Sequence, residues 1–299
     1  MPQLHEPSSV DRALEILGPG SRLRAAGTGQ VLPRADESRD VIRLATIPEL
    51  HGLHRDEGGN LHLGPMLPLR VLRDSPLIQS YFPALAKAFA ALSPVALERG
   101  TLGGLLHAND VDSPVQPALM TIHTNLRLQR RGCEREVPLG LWIQKDPEIG
   151  RCPDEVLVEA VIPALPKSSF QGLFCLRLGN ELSRPGLVLA ASFFLDQASR
   201  LCTMAKIVLA GIAPQVVWAE ATEAALTQQI FSEESLQAAA EGILQACPDD
   251  FVHALNYRHR VAVLQDAFLG IGRKVLNGED RMIGIPIDPS WPTAWEDPQ

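Results

Sequence analysis

Two glycine-bearing loops, about seventy-five residues apart, constrain this chain more than any other feature of its sequence. The first is Ala26-Gly27-Thr28-Gly29-Gln30, and the second is Thr101-Leu102-Gly103-Gly104-Leu105. Each follows a segment predicted to be a strand or a helix end, and each offers consecutive backbone N–H groups that can close around a phosphate. A short glycine cluster on its own usually marks an ordinary turn. As a pair, however, the two loops predict a dinucleotide held between two small α/β units.

The length, hydrophobic content and net charge of the chain limit which kinds of protein it can be. With 299 residues, of which 45% are hydrophobic, it can form two domains that each have a core. The formal net charge of −8 argues against a nucleic-acid binder, which would show a basic face. The one basic cluster, Arg127, Arg130 and Arg131, is followed by Glu134 and Glu136, and we interpret it as a solvated hairpin tip. The sequence contains no run of about 18 apolar residues, so no membrane span is expected. It also shows no apolar signal core, and we therefore expect a cytoplasmic location.

The cysteines and acidic pairs predict no metal site. The 5 cysteines are odd in number and contain no C-x-x-C pair, which disfavours an iron–sulfur cluster or a structural zinc within this chain. Buried free thiols in a reducing compartment fit best. Glu220 and Glu223 lie at helical spacing and are interpreted as a solvated helix face rather than as metal ligands.

Hydrophobic periodicity divides the chain into three units. In the first, Ser9 caps a helix over 10–17, followed by strands over 23–26 and 41–45, a turn at 56–59 and an edge strand over 60–64. The second is predicted to hold helices over 69–72 and from Ser75 onward, and strands within 117–128, at 136–139 and over 156–162. The third is predicted to hold antiparallel strands over 172–178, 187–195 and 201–209, then helices over 219–230, 233–245 and 257–275.

Several motifs, taken in order, resemble the FAD-binding medium subunit or domain of molybdenum hydroxylases, the group of xanthine dehydrogenase and aerobic carbon monoxide dehydrogenase. In that family the first loop reads A-G-G-T-D-L-L-P-R and the second reads T-I-G-G-N. The segment from Ser75 to Ala86 and Tyr257-Arg258-His259-Arg260 before the last helix are also similar. The resemblance covers roughly residues 5 to 276, and the order and spacing of the motifs carry it together.

The resemblance implies an α+β fold. Residues 1–165 would form a PCMH-type FAD-binding domain of two α/β subdomains, like that of vanillyl-alcohol oxidase. Residues 166–277 would form a flavoprotein C-terminal domain, a three-stranded antiparallel sheet with a helical bundle. Residues 278–299 would form an extended tail.

The resemblance also implies an oxidoreductase function. Such a subunit passes electrons from iron–sulfur clusters to FAD and on to an acceptor, NAD or oxygen. Its partners are a small two-cluster iron–sulfur subunit and a large molybdopterin subunit. The absence of cysteine motifs here agrees with those cofactors being held by other chains.

The family's cofactor contacts transfer to this chain position by position. Its two glycine loops present backbone N–H groups to the FAD pyrophosphate, whose negative charges need several donors. Arg177 stands where the family has a lysine near the flavin, and Leu157 stands near the adenine end. The cofactor-binding residues so implied are Ala26, Gly27, Thr28, Gly29, Gln30, Thr101, Gly103, Gly104, Leu105, Asp110, Leu157 and Arg177. No side chain is implied as catalytic.

The chain departs from the family at several of these positions. Thr28 replaces a glycine of the family, and Leu105 replaces an asparagine. Gln30 stands where the family usually has Asp, Ser or Asn. Pro114 stands at the usual carboxylate, for which Asp110 substitutes only if the loop is rearranged. At roughly 1 kcal/mol each, four lost polar contacts would weaken FAD binding about a thousandfold.

These departures keep an alternative function open. A flavin-free homologue with the same fold would act as a structural partner, or would catalyse a non-redox reaction in the vacated cleft with residues such as His107 and Asp110. The simpler interpretation of His107 is a solvent-facing loop histidine. A stand-alone flavin oxidase is disfavoured, because no His or Cys is placed for covalent flavin attachment.

Overall fold

The computed structural model describes residues 3–18, 21–24, 40–108, 113–144, 152, 154–177, 185–246 and 257–279. These residues form three sheets with helices between and beside them. Among the described residues, no helix has the length and hydropathy needed to cross a membrane.

The first sheet is small and parallel. Its strands are β1 (Leu4–His5), β2 (Ser21–Arg24) and β3 (Asp40–Arg43), in the order β1-β3-β2. Helix α1 (Val10–Ile16) connects β1 to β2, and the Ser9 side chain caps it by accepting from the backbone N–H of Arg12, as predicted. One face of α1 packs on Ile42, Leu50 and their neighbours in a small core of its own.

The second sheet is antiparallel, and its strands come from two distant parts of the chain. They are β4 (Leu53–Arg55), β5 (Leu61–Leu63), β6 (Asn125–Arg130), β7 (Cys133–Pro138) and β8 (Val156–Ile162), in the order β4-β5-β8-β6-β7. A helical segment covers one face of this sheet. It consists of α2 (Leu69–Asp74), α3 (Pro76–Tyr81), α4 (Pro83–Ala90), α5 (Pro94–Arg99), α6 (Leu102–Ala108), α7 (Val115–Thr121) and α8 (Leu139–Gln144).

The third sheet is antiparallel and buried on both faces. It contains β9 (Ser169–Arg177), β10 (Pro185–Leu195), β11 (Cys202–Ala210) and β12 (Val217–Trp218), in the order β12-β11-β10-β9. One face of β10 packs on α7 and contributes to the core of the second unit, and the other packs on the C-terminal helices. Those helices are α9 (Glu220–Leu226), α10 (Glu233–Glu241) and α11 (Tyr257–Leu276). Burial on both sides explains why the β10 sequence is apolar except for Ser192.

Short 3₁₀ turns complete the described structure. They lie at Leu44–Thr46, Pro48–His51 and Gly242–Ala246.

The predicted α+β class and the three antiparallel strands of the C-terminal unit are confirmed, while several finer predictions are wrong. A fourth strand, β12, extends the predicted three-stranded sheet. The strand expected at 60–64 lies between β4 and β8 and is therefore not an edge. The helix expected from Ser75 is broken at Phe82, whose φ of −134° and ψ of 66° are not helical, before Pro83. The strand predicted within 117–128 is confirmed by β6, which begins at Asn125, and the preceding Val115–Thr121 is a helix that was not predicted.

Candidate functional site

The second glycine loop is the start of a helix. Thr101 forms an isolated bridge with Pro68, and α6 begins at the next residue. The Thr101 side chain is 4% exposed, and its Oγ1 accepts from the Gly104 N–H at 3.2 Å. The Thr101 carbonyl accepts from the Leu105 N–H at 2.9 Å. Thr101 therefore caps α6, and this cap uses the N–H groups of two residues that were predicted to face a phosphate.

Gly103 is a glycine because the chain passes close to it. Its N–H donates to the Pro65 carbonyl at 2.7 Å, and the N–H of Leu102 donates to Leu67 O at 3.0 Å. A Cβ on Gly103 would lie 2.8 Å from Pro65 Cβ and 2.9 Å from Pro65 O. The chain itself thus occupies the space that the missing side chain leaves.

Leu105 belongs to the hydrophobic core. It is 7% exposed and packs in the cluster that also contains Leu102, Leu106 and Leu157. An apolar side chain at this position is stabilised by burial, whereas the amide that the family carries here would need a hydrogen-bond partner.

Gln116 is a buried polar residue that no sequence motif predicted. It is fully buried, and its Nε2 donates to the carbonyls of Leu105 and Leu106 at 3.2 and 3.5 Å. Its Oε1 is buried without a hydrogen-bond partner among the residues the structure describes. Its position just after Pro114 is the only signal in the sequence.

His107 lies on α6 rather than in a loop. It is exposed, and its Nδ1 is 2.9 Å from the Gly103 carbonyl one turn earlier. Its ring meets the buried Trp142 ring edge-on, with centroids 5.0 Å apart. The two contacts hold the imidazole between its own helix and the Trp142 ring of α8, and its exposure agrees with the solvent-facing interpretation.

The other predicted site residues are distributed as follows. Residues 26–30 and Asp110 lie outside the described residues. Leu157 is on β8, 3% exposed and inside the core. Arg177 is the last residue of β9, opposite Pro185 in the sheet register.

A cleft of about 670 Å³ lies where the second and third sheets meet. His123, with a left-handed φ of 57°, lines it together with Lys206, Trp218 and Glu223. Burial lowers the pKa of His123, and the Lys206 cation lowers it further. His123 Nε2 is buried without a hydrogen-bond partner in the described part of the chain.

Glu223 corrects one prediction. It does not belong to a solvated face, because its side chain is only 12% exposed and contacts Lys206 Nζ at 2.9 Å. Its Oε1 accepts from the Ile207 N–H at 2.8 Å. Burial raises its pKa, although these two contacts oppose that shift. Glu220, by contrast, is exposed as predicted.

A match between the sequence and a protein-family model shows which family the chain belongs to. The model described as "FAD binding domain in molybdopterin dehydrogenase" matches residues 1–165, more than half of the chain. The chain belongs to this family. A second model, described as "CO dehydrogenase flavoprotein C-terminal domain", matches residues 187–264. The resemblance drawn from the sequence motifs is confirmed, and the family implies FAD as the cofactor.

Characterised relatives match over most of their length. The carbon monoxide dehydrogenase medium chain of Hydrogenophaga pseudoflava is 28% identical over 260 residues, which are 82% of this chain and 86% of the relative. Subunit alpha of the 6-hydroxypseudooxynicotine dehydrogenase complex of Paenarthrobacter nicotinovorans is 25% identical over 264 residues, 85% of this chain and 88% of the relative.

Solved structures share the whole architecture. A chain of carbon monoxide dehydrogenase from Hydrogenophaga pseudoflava superposes with a TM-score of 0.78 at 25% identity, covering 92% of this chain and 97% of that one. A chain of quinoline 2-oxidoreductase from Pseudomonas putida 86 gives a TM-score of 0.77 at 21% identity, covering 93% and 98%. The second match shows the fold alone.

The described residues fit FAD only in part. Thr101, Gly103 and Gly104 stand at the family's second loop, but the N–H groups of residues 102 to 105 already donate to oxygens of the chain. Leu105 offers no polar atom in place of the amide. The backbone N–H groups of this loop are therefore already paired within the chain, and residues 26–30 of the first loop lie outside the described residues.

Proposed function

We propose that this chain is an FAD-binding electron-transfer subunit of a heteromeric molybdenum hydroxylase. The observation that carries the proposal is the family match over residues 1–165, followed in the expected order by the flavoprotein C-terminal match over 187–264. The shared fold with a carbon monoxide dehydrogenase chain supports it over nearly the full length.

In this proposal the chain divides as its sequence suggests. Residues 1–165 hold the cofactor, residues 166–277 form the C-terminal domain, and 278–299 form a tail. The first loop at 26–30, together with Thr101 and Gly104, contacts the pyrophosphate. Asp110 and Arg177 contact other parts of FAD, as does the backbone of Leu157, whose side chain is buried in the core. When bound, FAD supplies the redox chemistry, and the protein supplies position and electrostatics.

The proposed partners are a small iron–sulfur subunit and a large molybdopterin subunit. The names of the relatives support a multi-subunit assembly, since one is a "medium chain" and another is a "complex subunit alpha". The name of the matched carbon monoxide dehydrogenase structure mentions a molybdenum cofactor. Co-purification with two further chains, one of them carrying iron, would test this part of the proposal.

One observation favours a second candidate, a flavin-free homologue. The N–H groups of residues 102 to 105 are bonded within the chain, and the buried Leu105 replaces a polar contact. Such a protein would keep the architecture and act as a structural partner of the complex. Both candidates predict the same fold, so only a cofactor measurement separates them.

The visible spectrum of the purified, desalted protein tests both candidates. A flavin absorption band, with FAD identified after denaturation, supports the first. A colourless protein that also fails to bind added FAD refutes it and supports the second.

The variant Gly104→Ala locates the cofactor. Gly104 is partly exposed within α6, where alanine has the higher helix propensity, whereas a Cβ at a phosphate contact blocks its approach. We expect FAD affinity to fall about tenfold or more. The matched control is Gly270→Ala in α11, where a Cβ meets nothing within 4 Å. Equal FAD affinity in the two variants would remove Gly104 from the site.

A further inference from the structure

A cluster of potential metal ligands lies on the face of the second sheet that is turned away from the helices. His54 on β4, His62 on β5 and Glu159 on β8 each offer one ligand atom, and these atoms lie within 4.8 Å of one another. His54 and His62 are directly opposite in the strand register, and their rings stack with centroids 4.7 Å apart. Three separate strands thus converge on one point.

The second nitrogen of His62 is held by a carboxylate. Its Nε2 lies 3.1 Å from Asp56 Oδ2, and Asp56 is itself fixed by the Asn60 backbone N–H and side-chain amide, both at 2.8 Å. This directs His62 Nδ1 toward Glu159 Oε2, 3.0 Å away. A carboxylate on the distal nitrogen is the usual support of a metal-binding histidine, because it fixes the ring orientation and makes the ligand more basic.

The charges around the cluster permit a cation. Glu159 is 8% exposed, and the same Oε2 also lies 2.9 Å from Arg127 Nη2. Arg127 Nε has a second carboxylate, Glu134, at 2.8 Å, so the guanidinium keeps an anionic partner when Glu159 turns to a metal. Asp56 adds a further negative charge beside His62.

We propose that His54, His62 and Glu159 form a binding site for a divalent transition-metal ion of the zinc class, with water as the fourth ligand. Two imidazole nitrogens and one carboxylate oxygen are a donor set that suits Zn²⁺, whereas Mg²⁺ and Ca²⁺ prefer oxygen ligands alone. Tetrahedral ligands lie about 3.5 Å apart, so the cluster must close by about 1 Å. The exposed His54 side chain makes this movement by rotating out of its stack.

The ion would fasten together strands that are distant in sequence. β4 and β5 form a hairpin, whereas β8 comes from about a hundred residues later in the chain. The three ligands converge only in the folded sheet, so the metal binds the native state and raises its stability by mass action. The proposed site uses none of the residues implied in FAD binding.

Zinc binding to the tag-free, full-length chain after chelator treatment tests the proposal. Isothermal titration with Zn²⁺ alone should show one site, and the unfolding temperature should rise as Zn²⁺ is added. His54→Asn should weaken binding about tenfold or more and reduce the rise in unfolding temperature at a given Zn²⁺ concentration. Because His54 is exposed, this variant is expected to fold normally. The matched control is His51→Asn, an exposed histidine whose Nε2 contacts only the Ala45 carbonyl among the described residues.

Two outcomes would overturn the site. One is a wild-type chain that takes up no Zn²⁺ beyond weak, non-saturating binding. The other is a His54→Asn variant that binds as tightly and gains as much in unfolding temperature as the wild type and the His51→Asn control. If Mg²⁺ bound as tightly as Zn²⁺ and raised the unfolding temperature as much, this would likewise contradict an imidazole site.

Discussion

Replacing Gly103 with alanine separates the two reasons for which a glycine can stand in a cofactor loop. The added Cβ would lie 2.8 Å from Pro65 Cβ and 2.9 Å from Pro65 O, well inside van der Waals contact. Relieving this overlap must shift α6 or the Pro65 segment and lengthen the 2.7 Å hydrogen bond from Gly103 N to Pro65 O. Overpacking of this kind costs about 1–3 kcal/mol, and the weakened hydrogen bond adds up to about 1 kcal/mol. Alanine's higher helix propensity returns at most about 1 kcal/mol, so we expect a net loss of about 1–3 kcal/mol.

Urea unfolding of the FAD-free protein measures this loss directly. The Gly103→Ala midpoint should fall while the slope m stays unchanged, since the unfolded surface is the same. Gly270→Ala in α11, where a Cβ meets nothing within 4 Å, should be as stable as the wild type or slightly more stable. The reasoning is refuted if Gly103→Ala unfolds at the wild-type midpoint, or if both variants lose stability equally. Working without FAD matters, because a bound ligand would stabilise each variant according to its own affinity.

Further predictions concern packing, charge and capping outside that loop. Gly172→Ala places a Cβ against the Ile271 side chain and should lower the free energy of unfolding by about 1–3 kcal/mol. In a double-mutant cycle, adding Ile271→Ala should recover part of this loss, whereas strict additivity of the two changes would argue against the contact. Lys206→Met removes the cation beside Glu223, and burial already raises the pKa of that carboxyl. The variant should therefore lose more stability at about pH 8 than at about pH 5, because at the lower pH the carboxyl can take up a proton in the folded state. An equal loss at both pH values, each relative to wild type, would contradict this. Ser9→Ala removes the cap of α1 and should lower the free energy of unfolding by about 1 kcal/mol, whereas an unchanged midpoint would show that the cap contributes nothing.

Local sequence patterns predicted the elements that depend on local interactions. The Ser9 cap, the turn at 56–59 and the strands β9 to β11 of the C-terminal sheet all follow from short-range rules of capping, turn chemistry and apolar content. The family resemblance was also present in the sequence, because it rests on the order of motifs along the chain. It was enough to predict the α+β class and the cofactor type.

Fully buried segments were harder to predict. Every residue of Val115–Thr121 is buried, so this helix shows no polar face and no helical period. Periodicity alone cannot distinguish such a segment from a buried strand. A different limit applies to β5, which was predicted as a strand, because its position between β4 and β8 depends on a strand about a hundred residues away.

The sequence by itself determined the family, the fold class and the local caps and turns, because these depend on neighbouring residues and on motif order. Tertiary structure decided which side chains meet. It placed Leu105 in the core, brought Pro65 against Gly103, buried Glu223 beside Lys206, and gathered His54 and its partners from three strands. Such contacts follow from strand register and helix packing, in which a shift of one residue would turn each side chain to the opposite face.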